Sequence, residues 1–474
     1  MSKTRRGTTA IRRFLGGAAL LTGSVVAASI GASSQDVARD AASPELTFEN
    51  SSGALETVNS RGTFDRDNPF FRELGSNGRT CETCHRPAQA WTITPAEIQD
   101  RFERTRGLDP IFRTNDGSNC PGADISTVQR RREAFTLLLT KGLIRVELDV
   151  PAGAEFAIVD VDDPYRCGGS LTTLSLYRRP LPTANLAFLS AVMWDGRATV
   201  PRRGIKEDLV AQALDATIGH AQAPFASEAQ LREIVAFESG LFTAQTIDRG
   251  AGSLRAGGAR GGPDVLARQP FCIGINDPFG TRPSTPGACL AASKGLDHAV
   301  FTLFGAWAID DWPERQAIAR GETIFNTRRF VIDNVAGLNG ASQDPLPGPM
   351  PNGTCSVCHD TPGAGNHSVP MPLNIGIAAS SRRTPDLPLY TLRNAITGEL
   401  IATTDPGRAM VTGRWNDIGK FKGPVLRALA ARAPYFHDGS AASLSDVIDF
   451  YNVRFKIELT DAEKADLLAF LHAL

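Results

Sequence analysis

The sequence predicts a mainly α fold: two helical domains, each built around one Cys-x-x-Cys-His motif, with loops and a short β-hairpin as insertions. Three observations carry that expectation. The motif occurs twice, in "GRTCETCHRP" (78–87) and "NGTCSVCHDT" (352–361). Apolar residues recur at three- and four-residue intervals in "TVQRRREAFTLLLTKGL" (127–143) and "ERQAIARGETIFN" (314–326), the spacing of one buried helix face. The chain closes on "LTDAEKADLLAFLHAL", where Thr460 and Glu463 read as a capping box opening an amphipathic helix.

Taken in order, residues 1–34 read as an export signal: Arg5, Arg6, Arg12 and Arg13 precede an apolar run from Phe14 to Ile30 that ends in small residues. The alternative is an uncleaved membrane anchor. The mature chain is therefore expected in the periplasm, with no stable membrane insertion once the signal is removed, since no other segment is long and apolar enough to span. Residues 45–300 form the expected first domain. Within it, "LIRVELDV" (143–150) and "EFAIVDVD" (155–162) alternate like strands and read as the inserted hairpin. The Gly- and Pro-rich stretch 249–297 reads as a surface elaboration or a lid. Residues 301–474 form the second domain. Fifty basic against 51 acidic residues leave a net charge of −1, which points away from a nucleic-acid partner.

Eight cysteines divide into four in the motifs and four singles, Cys120, Cys167, Cys272 and Cys289. An exported chain meets an oxidising compartment, so the singles are expected to pair. Of the three possible pairings, Cys120–Cys167 and Cys272–Cys289 each close a moderate loop inside one region.

Cys-x-x-Cys-His is the spacing of covalent c-type haem attachment, in which two thioethers grip the porphyrin edge and the adjacent histidine reaches the iron. A zinc ribbon needs a second Cys pair near each first one, which is lacking. Two covalently bound haem c groups are thus the expected cofactors, on Cys81, Cys84 and His85 and on Cys355, Cys358 and His359, and each domain becomes cytochrome-c-like. The second axial ligand then separates an electron carrier, with both faces of each iron filled, from an enzyme with one face open. Between His85 and His220 there is no histidine, and Met193 is the only methionine. The first haem is expected to have an open or weakly held distal face. Around the second, His367, Met371, Met410, His437 and Tyr451 are all candidates.

The stretches "AVMWDGRA" (191–198) and "FKGPVLRALAARAPYFHDGSAASLSDVIDFYN" (421–452), between and after the two motifs, resemble the bacterial di-haem cytochrome c peroxidase and MauG superfamily over residues 70–474. The resemblance implies a peroxide-reacting N-terminal haem and an electron-handling C-terminal haem, with Trp194 between them as a relay; the alternative for Trp194 is core packing. It places Tyr451 at the second haem's axial position, where the peroxidases carry methionine and MauG-type enzymes are similar in using tyrosine. The alternative ligands are Met410 and His437, with His437 otherwise orienting its neighbours by hydrogen bonding. In "EDLVAQALDATIGHAQ" (207–222), Gln212 matches a distal glutamine of the family, while the family's distal glutamate falls on Gln222 or, with a small shift, on His220. Histidine exchanges protons near neutral pH and glutamine does not, which favours His220 as the acid/base. Its alternatives are a resting-state iron ligand and a structural helix-end residue. The family often binds calcium through an asparagine that here falls on Arg179, beside Arg432; cations at that place oppose a divalent ion, and calcium stays an open cofactor.

The leading expectation is a periplasmic oxidoreductase that reduces hydrogen peroxide with electrons from a small cytochrome c or cupredoxin. The alternatives are MauG-like oxidation of Trp or Tyr residues in a partner protein, and a non-enzymatic di-haem electron carrier.

Overall fold

The computed structural model describes residues 45–168, 170–280, 286–289 and 295–474, so the expected export segment lies outside the described residues. These residues belong to one unit of contacts running from Ala41 to Leu474. Among them no helix is long and apolar enough to cross a membrane.

Helix accounts for 31% and strand for 17% of the structure, so the mainly α expectation of two cytochrome-c-like helical domains does not hold. Of the strands the sequence did not reveal, Glu45–Asn50 alternates exposed and half-buried positions, whereas the central Gly53–Asn59 lacks the alternation of a half-buried strand. Gly53–Asn59 is buried along its whole length, between Glu45–Asn50 and Leu241–Asp248 in a four-stranded antiparallel sheet that Gly252–Ser253 completes. Its polar side chains are satisfied inside. Glu56 pairs with Arg255 at 2.8 Å, and Thr57 donates to Thr243 Oγ1 at 3.0 Å while accepting the indole N–H of Trp91 at 3.0 Å. Buried polar groups are tolerated when bonded in this way.

The expected hairpin is also corrected. Both segments are strands, Ile144–Asp149 and Phe156–Asp162, but they do not pair with each other. The first pairs with Thr173–Arg178, and the second with Leu389–Asn394, which in turn pairs with Leu400–Thr403. Alternation reveals a strand but carries no information about a partner more than 200 residues away. Through this sheet, chain from either side of residue 300 is hydrogen-bonded together.

The helical expectations fare better. Pro313–Thr327 and Asp461–Ala473 pack so closely that a Cβ on Gly321 would lie 2.0 Å from the carbonyl oxygen of Asp466. The capping box forms: Thr460 Oγ1 accepts from Glu463 N at 3.2 Å and Glu463 Oε2 accepts from Thr460 N at 2.8 Å. The 127–143 stretch makes two helices, Val128–Ala134 and Thr136–Lys141, broken at Phe135. Both disulfides form with the expected pairing, Cys120–Cys167 and Cys272–Cys289, each at a Cα separation of 5.2 Å.

Candidate functional site

Each motif folds as one tight turn, Cys81–Thr83 and Cys355–Val357. The carbonyl of the first cysteine accepts from the amides of the second cysteine and of the histidine: Cys84 and His85 on Cys81 O at 3.2 and 3.0 Å, Cys358 and His359 on Cys355 O at 3.3 and 3.0 Å. That turn puts both thiols and the imidazole on the wall of one cavity. The four thiols are not in disulfides. Burial keeps them protonated, pushing Cys84 up to about 11, Cys355 and Cys358 to about 12, and Cys81 higher still with Glu238 adding to the effect.

The two histidines are held alike. His85 donates Nδ1–H to the carbonyl of Trp91 at 3.0 Å, and His359 donates Nδ1–H to that of Gly365 at 2.7 Å. A carbonyl only accepts, so each ring is fixed with Nε2 bare and available to a metal. Burial holds His85 down to about 4 and lowers His359 too, which favours the neutral ring that a metal would need.

The walls also fit the charged edge of a haem. Arg179, Lys422 and Arg432 line both cavities and Arg427 lines the first. None of the four forms an ion pair among the described residues, and the Nε atoms of Arg427 and Arg432 have no hydrogen-bond partner. Burial pulls Lys422 down to about 8, Arg179 to about 9 with Arg432 adding to the effect, and Arg427 and Arg432 to about 10. Buried cations without carboxylates are costly, and the propionates of two haems would supply the missing charge.

Calcium fits poorly by the same reasoning. The guanidinium of Arg179 donates to the carbonyls of Ile93 at 2.7 Å, Lys141 at 2.8 Å and Arg432 at 3.1 Å, oxygens of the kind a calcium ion would need. A divalent cation would meet those oxygens already occupied and a positive charge in its place.

Trp194 lines both cavities and donates its indole N–H to the carbonyl of Arg179 at 2.8 Å. The residues after it lock its position. Asp195 is fully buried and pairs with Arg178 at 2.5 Å, and Arg178 also grips Asp405 at 2.7 Å. Gly196 has φ +70° and a Cβ there would lie 2.8 Å from Arg408 Nη1, so glycine is required.

In the first cavity Gln212 and His220 are wall residues, and Gln222 is not. His220 ends the helix Ile205–Gly219. Its Nδ1 is hydrogen-bonded to Asp116 Oδ2, and Asp116 Oδ1 accepts from Arg79 at 2.5 Å. Burial opposes ionisation of Asp116, but the His220 hydrogen bond and the Arg79 guanidinium hold its carboxyl below the usual range. Sequence reasoning missed Asp116 and Arg79: 37 positions separate them, and no spacing rule links either to residue 220.

In the second cavity Tyr451 is a wall residue, its ring 6.5 Å from that of His359 at 72°. Burial raises its phenol far above the ordinary value. His367 also lines this cavity, 6.4 Å from His359, and its Nδ1 donates to the carbonyl of Cys358. Neither Met410 nor Met371 is a wall residue; Met410 packs with Tyr390 and Leu392. His437 stands outside the lining as well, fully buried, stacked on Phe421 at 4.2 Å and 6.4 Å from Trp194, with Asp405 3.8 Å from its Nε2.

No protein-family model matches the chain. Among curated proteins it is 30% identical over 156 residues to a cytochrome-c peroxidase IdrP2 of Denitromonas iodatirespirans, covering 31% of this chain and 42% of the relative. It is 38% identical over 84 residues to a cytochrome-c peroxidase IdrP1 of Pseudomonas sp. (strain SCT), covering 15% and 22%. A cytochrome c551 peroxidase of Nitrosomonas europaea matches at 38% over 69 residues, covering 14% and 21%. The chain thus spans less than half the length of these relatives. Among solved structures, a MauG-like protein associated with microbial copper homeostasis aligns over 86% of both chains at 18% identity and a TM-score of 0.39, a likeness too loose to carry weight. The two Cys-x-x-Cys-His cavities share a tryptophan wall, and the curated relatives to which the chain is similar are cytochrome-c peroxidases.

Proposed function

We propose that the chain is a periplasmic di-haem peroxidase that reduces hydrogen peroxide to water with electrons from a small cytochrome c or cupredoxin. The observation that carries the reading is the pair of cavities, each with a motif histidine whose Nε2 is free, meeting at Trp194. Residues 45–300 would house the peroxide-reacting centre and 301–474 the electron-receiving one. Cys81, Cys84 and His85 would hold one haem c and Cys355, Cys358 and His359 the other, with Tyr451 as the further ligand at the second.

The bound haems supply an iron that binds peroxide and a store of single electrons. The protein's own part is proton handling and alignment. His220 Nε2 takes a proton from the near oxygen of peroxide and returns it to the far one as the O–O bond breaks, while Gln212 orients the molecule from the same wall. Per turnover one peroxide takes up two electrons and two protons and leaves as two waters. Trp194, fixed by its bond to Arg179, offers an indole between the cavities for electron passage.

A second reading draws on Tyr451: as no methionine lines the second cavity, an anionic oxygen ligand there would favour the oxidised metal and suit MauG-like oxidation of Trp or Tyr in a partner protein. Peroxide consumption by the purified holoprotein, assayed with a reduced small cytochrome c, a reduced cupredoxin or neither, decides. Steady turnover with a donor supports the peroxidase; one stoichiometric reaction that stalls with every donor supports the protein-oxidising reading; no reaction with peroxide overturns both.

A further inference from the structure

Resting on the peroxidase reading, we infer that Asp116 is the positioning residue for the acid/base His220, and that Arg79 anchors it. A single imidazole can act as base toward peroxide only if the nitrogen on the cavity side is bare. Asp116 secures this, because its carboxylate can only accept, so the proton of a neutral His220 must sit on Nδ1. Once Nε2 has taken a proton, the same carboxylate stabilises the imidazolium, which then releases that proton to the leaving oxygen.

The arrangement is built to hold still. Asp116 is 5% exposed and Arg79 2% exposed. Arg79 spends its other donors on backbone: Nε on the carbonyl of Pro110 at 2.8 Å, Nη2 on that of Ile111 at 2.7 Å, and Nη1 also on that of His220 at 3.2 Å. Asn77 adds a bond to the His220 carbonyl at 2.7 Å. The segment that leads into the first haem motif therefore grips His220 by its backbone, and through Asp116 by its ring. Geometry relative to the motif is thereby set by two neighbouring stretches of chain, 77–79 and 115–116. The ring is bonded to Asp116 from the 109–119 loop, and Arg79, His85 and, from the helix Glu228–Ser239, Glu238 are among the charged and titratable groups that share its cavity.

Asp116→Asn tests this in the holoprotein, with Asp116→Glu as the conservative companion. The rate of peroxide reaction at the first haem is expected to fall about a hundredfold in Asp116→Asn and to recover in large part in Asp116→Glu. Carbon monoxide binding to the reduced first haem, which moves no proton, is expected to stay within about twofold, because nothing in that step uses the dyad. An unchanged peroxide rate in Asp116→Asn, no recovery in Asp116→Glu, or carbon monoxide binding that falls in parallel with the peroxide rate would overturn the inference. If His220→Ala is slow toward peroxide while Asp116→Asn is not, this inference fails alone; if the native protein ignores peroxide, the peroxidase reading fails and takes it along.

Discussion

The indole N–H of Trp194 donates to the carbonyl oxygen of Arg179 at 2.8 Å, and both residues stand in the wall shared by the two cavities. The amide of Arg179 in turn donates to the carbonyl of His437 at 2.7 Å, while its guanidinium reaches the backbone at Ile93, Lys141 and Arg432. One residue thus ties the tryptophan to chain leaving the first haem motif and to chain near the second.

Replacing Trp194 by Phe keeps an aromatic ring but removes the hydrogen bond and the readily oxidised indole. Peroxide is expected to react at the first haem as before, while the electron equivalent arriving from the second slows about tenfold or more, a barrier increase of roughly 1.4 kcal/mol. Stopped-flow spectra that follow the two haems separately check this; equal rates in both proteins assign Trp194 to packing.

Because the Arg179 guanidinium occupies the carbonyls a calcium ion would need at that place, calcium there is not expected to matter. Chelation with EGTA is expected to leave the melting temperature and the peroxide rate unchanged. Arg179→Gln is expected to destabilise by about 3 kcal/mol or more, since buried carbonyl oxygens lose their donor. Thermal unfolding with and without calcium measures both, and a calcium-dependent melting temperature in the native protein would count against this account.

Asp195 gives a pH dependence of definite sign. Burial favours the neutral acid, but Arg178 and then Arg197 prevail, and the carboxyl lies at about 2. Its folded value is below its unfolded one, so the stability it contributes is complete above about pH 4 and is lost as pH falls through the folded value. Stability is therefore expected to fall on acidification from pH 4 toward 2. Arg178→Met, which removes the cation bridging buried Asp195 and Asp405 and leaves Asp195 with Arg197 alone, is expected to cost about 3–5 kcal/mol at neutral pH. Denaturant titrations across that range provide the comparison.

Tyr451→Phe removes the only oxygen that Tyr451 could offer a metal while keeping the ring that packs against Phe450 at 5.3 Å. The ferric signal of the second haem in electron paramagnetic resonance is expected to change and its reduction potential to rise, because an anionic oxygen donor favours the oxidised metal. An unchanged signal would transfer the ligand role to another wall residue such as His367, whose ring lies 6.4 Å from that of His359.

The site was far more legible in the sequence than the fold. A haem motif is a local pattern whose chemistry depends on three side chains within five positions, so both cavities could be anticipated. The same holds for the Thr460 capping box and, through loop length, for both disulfides. What escaped was long-range. Gly53–Asn59 is buried on both faces and shows no alternation, and Phe156–Asp162 pairs with Leu389–Asn394 rather than with its neighbour in sequence. Asp116 beside His220 escaped for the same reason, being 104 positions away. The family resemblance pointed to Gln212 and to Gln222 or His220; Gln212 and His220 stand in the cavity wall, whereas Gln222 falls past the helix end, where a φ of +55° turns the chain. The four unpaired cations were invisible beforehand, because a single Arg or Lys reads as surface until its burial is known.

The account stands on two haems held covalently in this chain. Intact-mass spectrometry of the matured protein under denaturing conditions tests it most directly: the mass is expected to exceed that of the processed polypeptide by two haem groups, and by one when Cys355 and Cys358 are both replaced by Ala. A native mass carrying one haem or none would contradict it.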